Sequence, residues 1–190
     1  MGKDIARPLN TVRGESVGIG TFDNPLDFIA EDHMREREVC ALIDRIVASA
    51  PMEEAERDQI LAFLEVRLPQ HLADEEIDLF PLMLKRCDPE DEIEAVIGKL
   101  QSDHGHALAD APTIFAIIQG LDTNSPKPTR SEAAQMAEFA HHARRHLILE
   151  NAVILPIARA RLTGGDLNTM KRHMLERRGL CNTGKMRDAE

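Results

Sequence analysis

His71-Leu72-Ala73-Asp74-Glu75-Glu76-Ile77-Asp78-Leu79-Phe80-Pro81 and His146-Leu147-Ile148-Leu149-Glu150-Asn151-Ala152-Val153-Ile154-Leu155-Pro156 are two copies of one pattern. Each reads His-x-x-x-Glu, then five residues, then Pro. A shorter pattern precedes each copy: Asp32-His33 lies 38 residues before His71, and Asp103-His104 lies 42 residues before His146. The chain therefore reads as two similar halves, each bringing two histidines and one glutamate.

Residues four apart on a helix share a face. His71 with Glu75, and His146 with Glu150, can thus each aim an imidazole and a carboxylate at one point. A histidine alone on an apolar stripe is ordinarily a satisfied core residue. A carboxylate on such a stripe must be paired or bound to something, because burying it alone is costly. The six side chains His33, His71, Glu75, His104, His146 and Glu150 read together as one dinuclear metal site. His33 and His71 hold one metal, His104 and His146 the other, and Glu75 and Glu150 bridge. Imidazole and carboxylate donors suit iron, manganese or zinc.

The surrounding pattern is helical throughout. Asn24-Pro25 is a helix start, a capping side chain followed by a residue suited to the first helical position. The first helix is expected from about 25 to 49, on the stripe Leu26, Ile29, His33, Cys40, Ile43, Val47. A second runs to about 86 on Leu61, Leu64, Leu68, His71, Glu75, Leu79, Leu82, with Pro69 and Pro81 expected to kink or break it. A third spans about 90–119 on Ile93, Ile97, Leu100, His104, Leu108, Ala111, Phe115, Ile118, with Pro112 inside it. A fourth runs from Thr129 or Ser131 to about 162 on Met136, Phe139, Ala143, His146, Glu150, Val153, Ile157, with Pro156 bending it. A fifth, short helix is expected from Asp166, as its cap, to about 178. Short turns between long amphipathic helices imply antiparallel neighbours. The expected fold is all-α, an up-down-up-down antiparallel four-helix bundle with a short C-terminal helix. It divides into an N-terminal arm (1–23), the bundle (24–162) and a C-terminal helix and tail (163–190). Counting residues from the turns at about 1.5 Å per residue puts all four histidines at one depth, roughly 25 Å from the nearest turns.

Composition bounds the function. The chain has 190 residues, with six Phe, no Trp and no Tyr, which disfavours an all-β fold. A net charge of −10 argues against nucleic acid as a partner. The basic stretch Lys171-Arg172-His173 to Arg177-Arg178 reads as a solvated helix face. Cys40, Cys87 and Cys181 share no C-x-x-C spacing, and a sparse, odd count fits a reducing compartment. With no apolar leader and no run long enough to span a bilayer, the expected location is the cytoplasm, with no membrane partner. A homodimer is an allowed assembly.

The six residues, with their His-x-x-x-Glu repeats and trailing prolines, resemble a hemerythrin-like (HHE cation-binding) domain over roughly residues 24 to 162. Met174 to Gly179 is similar to the ending of many bacterial relatives. The resemblance implies a non-haem di-iron centre, two irons bridged by carboxylates and an oxo or hydroxo group, with zinc or manganese as alternatives. It implies binding or sensing of O2, NO or peroxide rather than catalysis, so no catalytic residue is assigned. It also admits a stress protein that donates iron to or repairs iron centres, or a di-iron enzyme acting on peroxide or NO. The lack of Tyr and Trp removes the usual radical relays and disfavours demanding oxidations.

Two departures from oxygen carriers stand out. Their third helix has His-x-x-x-His, but Leu108 follows His104 here. Their fourth helix has Asp five residues after His, but here Glu150 follows His146 by four. Both leave room for an open position or a different seventh ligand, with His142 and Glu36 as candidates; His106 is off the stripe.

Overall fold

The computed structural model describes residues 23–180; the arm before Asp23 and the ten residues from Cys181 onward lie outside the described residues. Every regular element among the described residues is helical. Helix α1 is Pro25–Val47, with Asn24 accepting from the Leu26 backbone N–H at 3.0 Å. Ser49, at φ 57°, turns the chain out of it. Helix α2 covers 54–86 and α3 is Ile93–Gly120. Helix α4 covers 130–161, and α5 is Gly164–Arg177.

Several boundaries differ from expectation for local reasons. Pro89–Asp91 forms a 3-10 turn and Glu92 turns left-handed (φ 48°), so α3 begins later than residue 90. Thr163, not Asp166, caps α5. Thr163 and Asp166 form a reciprocal capping box, in which the Thr163 N–H donates to Asp166 at 2.9 Å. Thr129 caps α4 in the same way with Glu132.

The prolines do not break their helices. Pro69, Pro81 and Pro156 each stand second in an α-helical segment that follows a π-turn: Phe63–Arg67, Glu75–Leu79 and Glu150–Ile154. Proline has no N–H, and its ring crowds the carbonyl four residues back. The wider i→i+5 ring of a π-turn takes up that mismatch. The π-turns at Glu75 and Glu150 each insert one residue and so shift the buried stripe beyond them by one. Phe80 and Met83 are buried where Leu82 was expected; Ile154 and Ala158 replace Val153 and Ile157. Pro112 lies within an uninterrupted α3. Leu108, expected on the buried stripe, is 45% exposed, and Ile114 is buried in place of Phe115.

The apolar core has two parts. One contains Cys40, Ile43, Ile60, Leu64, Leu68, Ile114, Ile118 and Met136; the other contains Phe28, Ile29, Leu79, Phe80, Met83, Ile97, Ile154 and Met170. Along every long helix the expected metal ligands fall between the residues of these two clusters. A polar layer therefore interrupts the core. Ion pairs pin the helices around it: Asp27–Arg159 and Asp44–Arg144 between α1 and α4, and Arg45–Glu56 between α1 and α2. None of the described helices is long and apolar enough to cross a membrane.

Candidate metal centre

All six expected ligands are buried, and each comes from the interrupted stretch of its helix. Their donor atoms gather in two overlapping groups: His33, His71, Glu75 and Glu150, and Glu75, His104, His146 and Glu150. The two glutamates are common to both. His33 Nε2 lies 3.5 Å from Glu75 Oε1 and 3.2 Å from Glu150 Oε2. His71 Nε2 is 3.7 Å from Glu75 Oε2. On the other side, His104 Nε2 is 3.4 Å from Glu75 Oε2, and His146 Nε2 is 3.1 Å from Glu150 Oε1. The two π-turns begin at Glu75 and Glu150 themselves. The trailing proline of each repeat is thus the sequence mark of the turn that carries its carboxylate.

These approaches are short, yet most lack hydrogen-bond direction. Of the ten buried side-chain polar atoms without a hydrogen bond among the described residues, all but Arg57 Nε belong to His33, His71, Glu75, His146 and Glu150. Each such atom costs about 1–3 kcal/mol if nothing satisfies it, and more if charged. His104 Nε2 and His146 Nε2 face each other at 3.1 Å, two nitrogens that normally cannot both donate. Lone pairs converging on common points rather than on one another are what a cation needs. The donor set fits a metal.

Without a cation, protons carry part of the charge. Burial works against a charged His33, but Glu150 and Glu75 outweigh it and hold its pKa up to about 10. Burial and the neighbouring His33 hold His71 well below the usual imidazole range. Burial, then Glu150, pushes Glu75 well above the carboxylate range. Burial also opposes ionisation of Glu150, but His104, His146 and His33 draw it well below. The two carboxyls are thus pushed in opposite directions, Glu75 by burial and Glu150 by its three histidine neighbours.

The surroundings hold residues whose parts the sequence did not reveal. His104 Nδ1 meets Glu76 Oε1 at 2.7 Å, and Gln101 donates to the other Glu76 oxygen at 2.8 Å. A carboxylate on the far nitrogen fixes ring orientation and raises ligand basicity. Phe80 stacks on the same ring, 5.5 Å between centroids. The only earlier signal for Glu76 was its place beside Glu75.

A cavity of about 250 Å³ reaches the centre from one side, bordered at depth by Glu36, His104, His146, Leu72 and Phe139. Glu36 is 5% exposed and, among the described residues, has no hydrogen bond or ion pair. Burial holds its pKa up to about 7, against the pull of His146. It faces the cavity but lies outside both donor groups. His142, the other candidate seventh ligand, is 55% exposed and pairs loosely with Glu138 at 4.0 Å, so the fold does not bring it to the centre. His106 is exposed, as its position off the stripe implies. Burial pushes the Cys40 thiol up to about 12, which leaves it inert.

Comparison with known proteins agrees with this geometry. A family model described as Hemerythrin HHE cation binding domain matches residues 24–158. Comparisons with curated proteins and with solved structures returned no significant match.

Proposed function

Since the chain belongs to the hemerythrin HHE cation-binding family, we propose that it is a non-haem di-iron protein that binds or senses O2, NO or peroxide. The observation that carries this reading is the set of converging buried donor atoms without partners. His33 and His71 would hold one iron and His104 and His146 the other, with Glu75 and Glu150 common to both donor groups. When bound, the irons supply electrons to an oxygen- or nitrogen-containing ligand. The protein's part is to hold the donors at fixed places, keep the rings oriented and admit the ligand through one cavity. Glu76 orients His104. Leu68, Leu72, Ala107 and Phe139 form the apolar part of the cavity wall. Glu36 offers a buried carboxyl on the same cavity with no hydrogen bond or ion pair among the described residues.

The bundle that carries this centre is read as up-down-up-down over residues 24–162, supported by the pairing of α1 with α4 at Asp27–Arg159 and Asp44–Arg144. A cytoplasmic location is part of the same reading. A second reading, iron donation, is favoured by the cavity rim, where Asp103, Asp110, His106 and His142 offer donors along a path for a cation.

Anaerobic loading with ferrous iron, metal counting and a visible spectrum before and after O2 test the proposal. Two irons per chain and a reversible band are expected for binding or sensing. Irreversible oxidation with iron release would favour donation. Zinc alone with no spectral response would contradict both.

A further inference from the structure

The two repeats differ in acids that are not ligands. Asp74, Glu76 and Asp78 of the first copy correspond to Leu149, Asn151 and Val153 of the second. Glu76 holds His104. Asp74 and Asp78 face the other way, to α5. Asp74 is fully buried, at 0% exposure. It accepts from Arg177 Nε at 2.8 Å, from Arg178 Nη1 at 3.1 Å and from Arg178 Nη2 at 2.6 Å. Asp78 accepts from Arg177 Nη2 and meets His173 Nδ1 at 2.5 Å. Arg178, its side chain 9% exposed, lies 4.8 Å over the Phe28 ring and 4.0 Å from Asp32, the residue before His33.

The basic stretch is therefore a solvated face only in part: Arg172 is exposed, but the stretch's end is not. Its last two arginines dock inward. They seize the residue before Glu75 and the fourth residue of the π-turn that Glu75 begins. A π-turn is a rare geometry, found mostly as a single turn inside an α-helix and frequently at a functional site. The second copy is braced within its own helix, where the Asn151 side chain donates to the Leu147 carbonyl at 2.6 Å. The first copy has no such local brace, because Glu76 is engaged with His104.

We propose that Arg177 and Arg178 are positioning residues for the metal centre: by gripping Asp74 and Asp78 they fix the turn that places Glu75. The inference rests on the metal-binding reading above. It has a reciprocal side. If docked α5 strengthens metal binding, bound metal strengthens α5 docking by the same factor. The C-terminal helix thereby reports metal occupancy to the protein surface.

The test uses the full chain and Zn2+ as a redox-silent probe, with affinity read by chelator competition. Arg178→Met and the milder, more exposed Arg177→Gln should weaken Zn2+ binding about 10- to 100-fold, the range for residues that orient metal ligands. Arg178→Lys should recover part of the loss. Arg86→Ala is the control: it breaks the 2.9 Å pair of Arg86 with Asp166 at the other end of α5 and leaves the Glu75 turn untouched. Affinity within about threefold of wild type is expected there, a small fraction of the 10- to 100-fold range. In wild type, chelation should speed amide exchange across α5 without global unfolding. Equal losses in Arg86→Ala and Arg178→Met, or α5 exchange indifferent to Zn2+, would overturn the proposal. Wild-type chain that takes up no metal at all would overturn the metal reading and this inference with it. Normal uptake by wild type and both arginine variants would overturn the inference alone.

Discussion

The two halves of the centre share their carboxylates and differ in almost everything else. On the His33–His71 side the rings pack edge to face, 5.1 Å apart, and both Nδ1 atoms are buried without a hydrogen bond. On the His104–His146 side, Glu76 braces one ring and Asp103 approaches the other at 3.8 Å. The cavity also reaches that side. One half is enclosed and held by convergence alone; the other is braced from behind and open in front. In the proposed reading, the enclosed half would retain a metal and the open half would meet an incoming molecule. The departure at Leu108 fits this division. An oxygen carrier has its extra histidine at that position, but here the side chain points away from the core and adds nothing to the donors around His104.

The strongest way to break this comparison is to remove what both halves share. Glu150→Ala should abolish binding of both metals, measured by elemental analysis after gel filtration, since its carboxylate reaches His33, His104 and His146. Retention of one tightly held metal would show the halves to be independent.

Next come the single-half variants. His71→Ala and His146→Ala should each weaken metal binding by about 10- to 100-fold or more, because losing a ligand costs at least as much as losing its support. Only His146→Ala should also abolish the spectral response to azide or NO at matched metal content. The reverse pattern would exchange the roles of the two halves.

The effect of pH is expected to be smaller and graded. Glu150 and Glu75 hold the His33 pKa up to about 10 against burial, and burial with Glu150 holds the Glu75 carboxyl well above its usual range. Ligating groups must be deprotonated before metal can bind, so uptake releases protons and affinity rises with pH. The expected slope across pH 6 to 8 is about tenfold per unit for each proton displaced. A potentiometric titration that finds no proton release would contradict the assigned ligands.

The smallest expected effect belongs to Glu36. Glu36→Leu should leave metal content unchanged and alter azide affinity by about threefold to tenfold, the scale of a hydrogen bond to a charged group or less. A loss of metal instead would make Glu36 a ligand rather than a cavity residue.

The helices and six candidate ligands were legible because four-residue spacing on an apolar stripe leaves few other meanings for a buried Glu. Asn24 and Thr129 marked helix starts by ordinary capping chemistry. What the sequence obscured came from the π-turns. Pro69 and Pro81 were expected to kink or break their helix and Pro156 to bend its own, but the inserted residue was not foreseen, and it moved the buried positions from Leu82 to Met83 and from Ile157 to Ala158. Periodicity at 3.6 residues has no means of showing a one-residue insertion. The inward turn of Arg177 and Arg178 was hidden for another reason. Their partners Asp74 and Asp78 lie about a hundred positions away and look, in sequence, like spare acids beside Glu75.

The most direct test of the central claim is a crystal structure of the iron-loaded chain soaked in azide, with anomalous scattering at the iron edge. Two iron peaks between Glu75 and Glu150, with azide on the iron held by His104 and His146, are the predicted result. A single peak, or azide on the His33–His71 side, would contradict it.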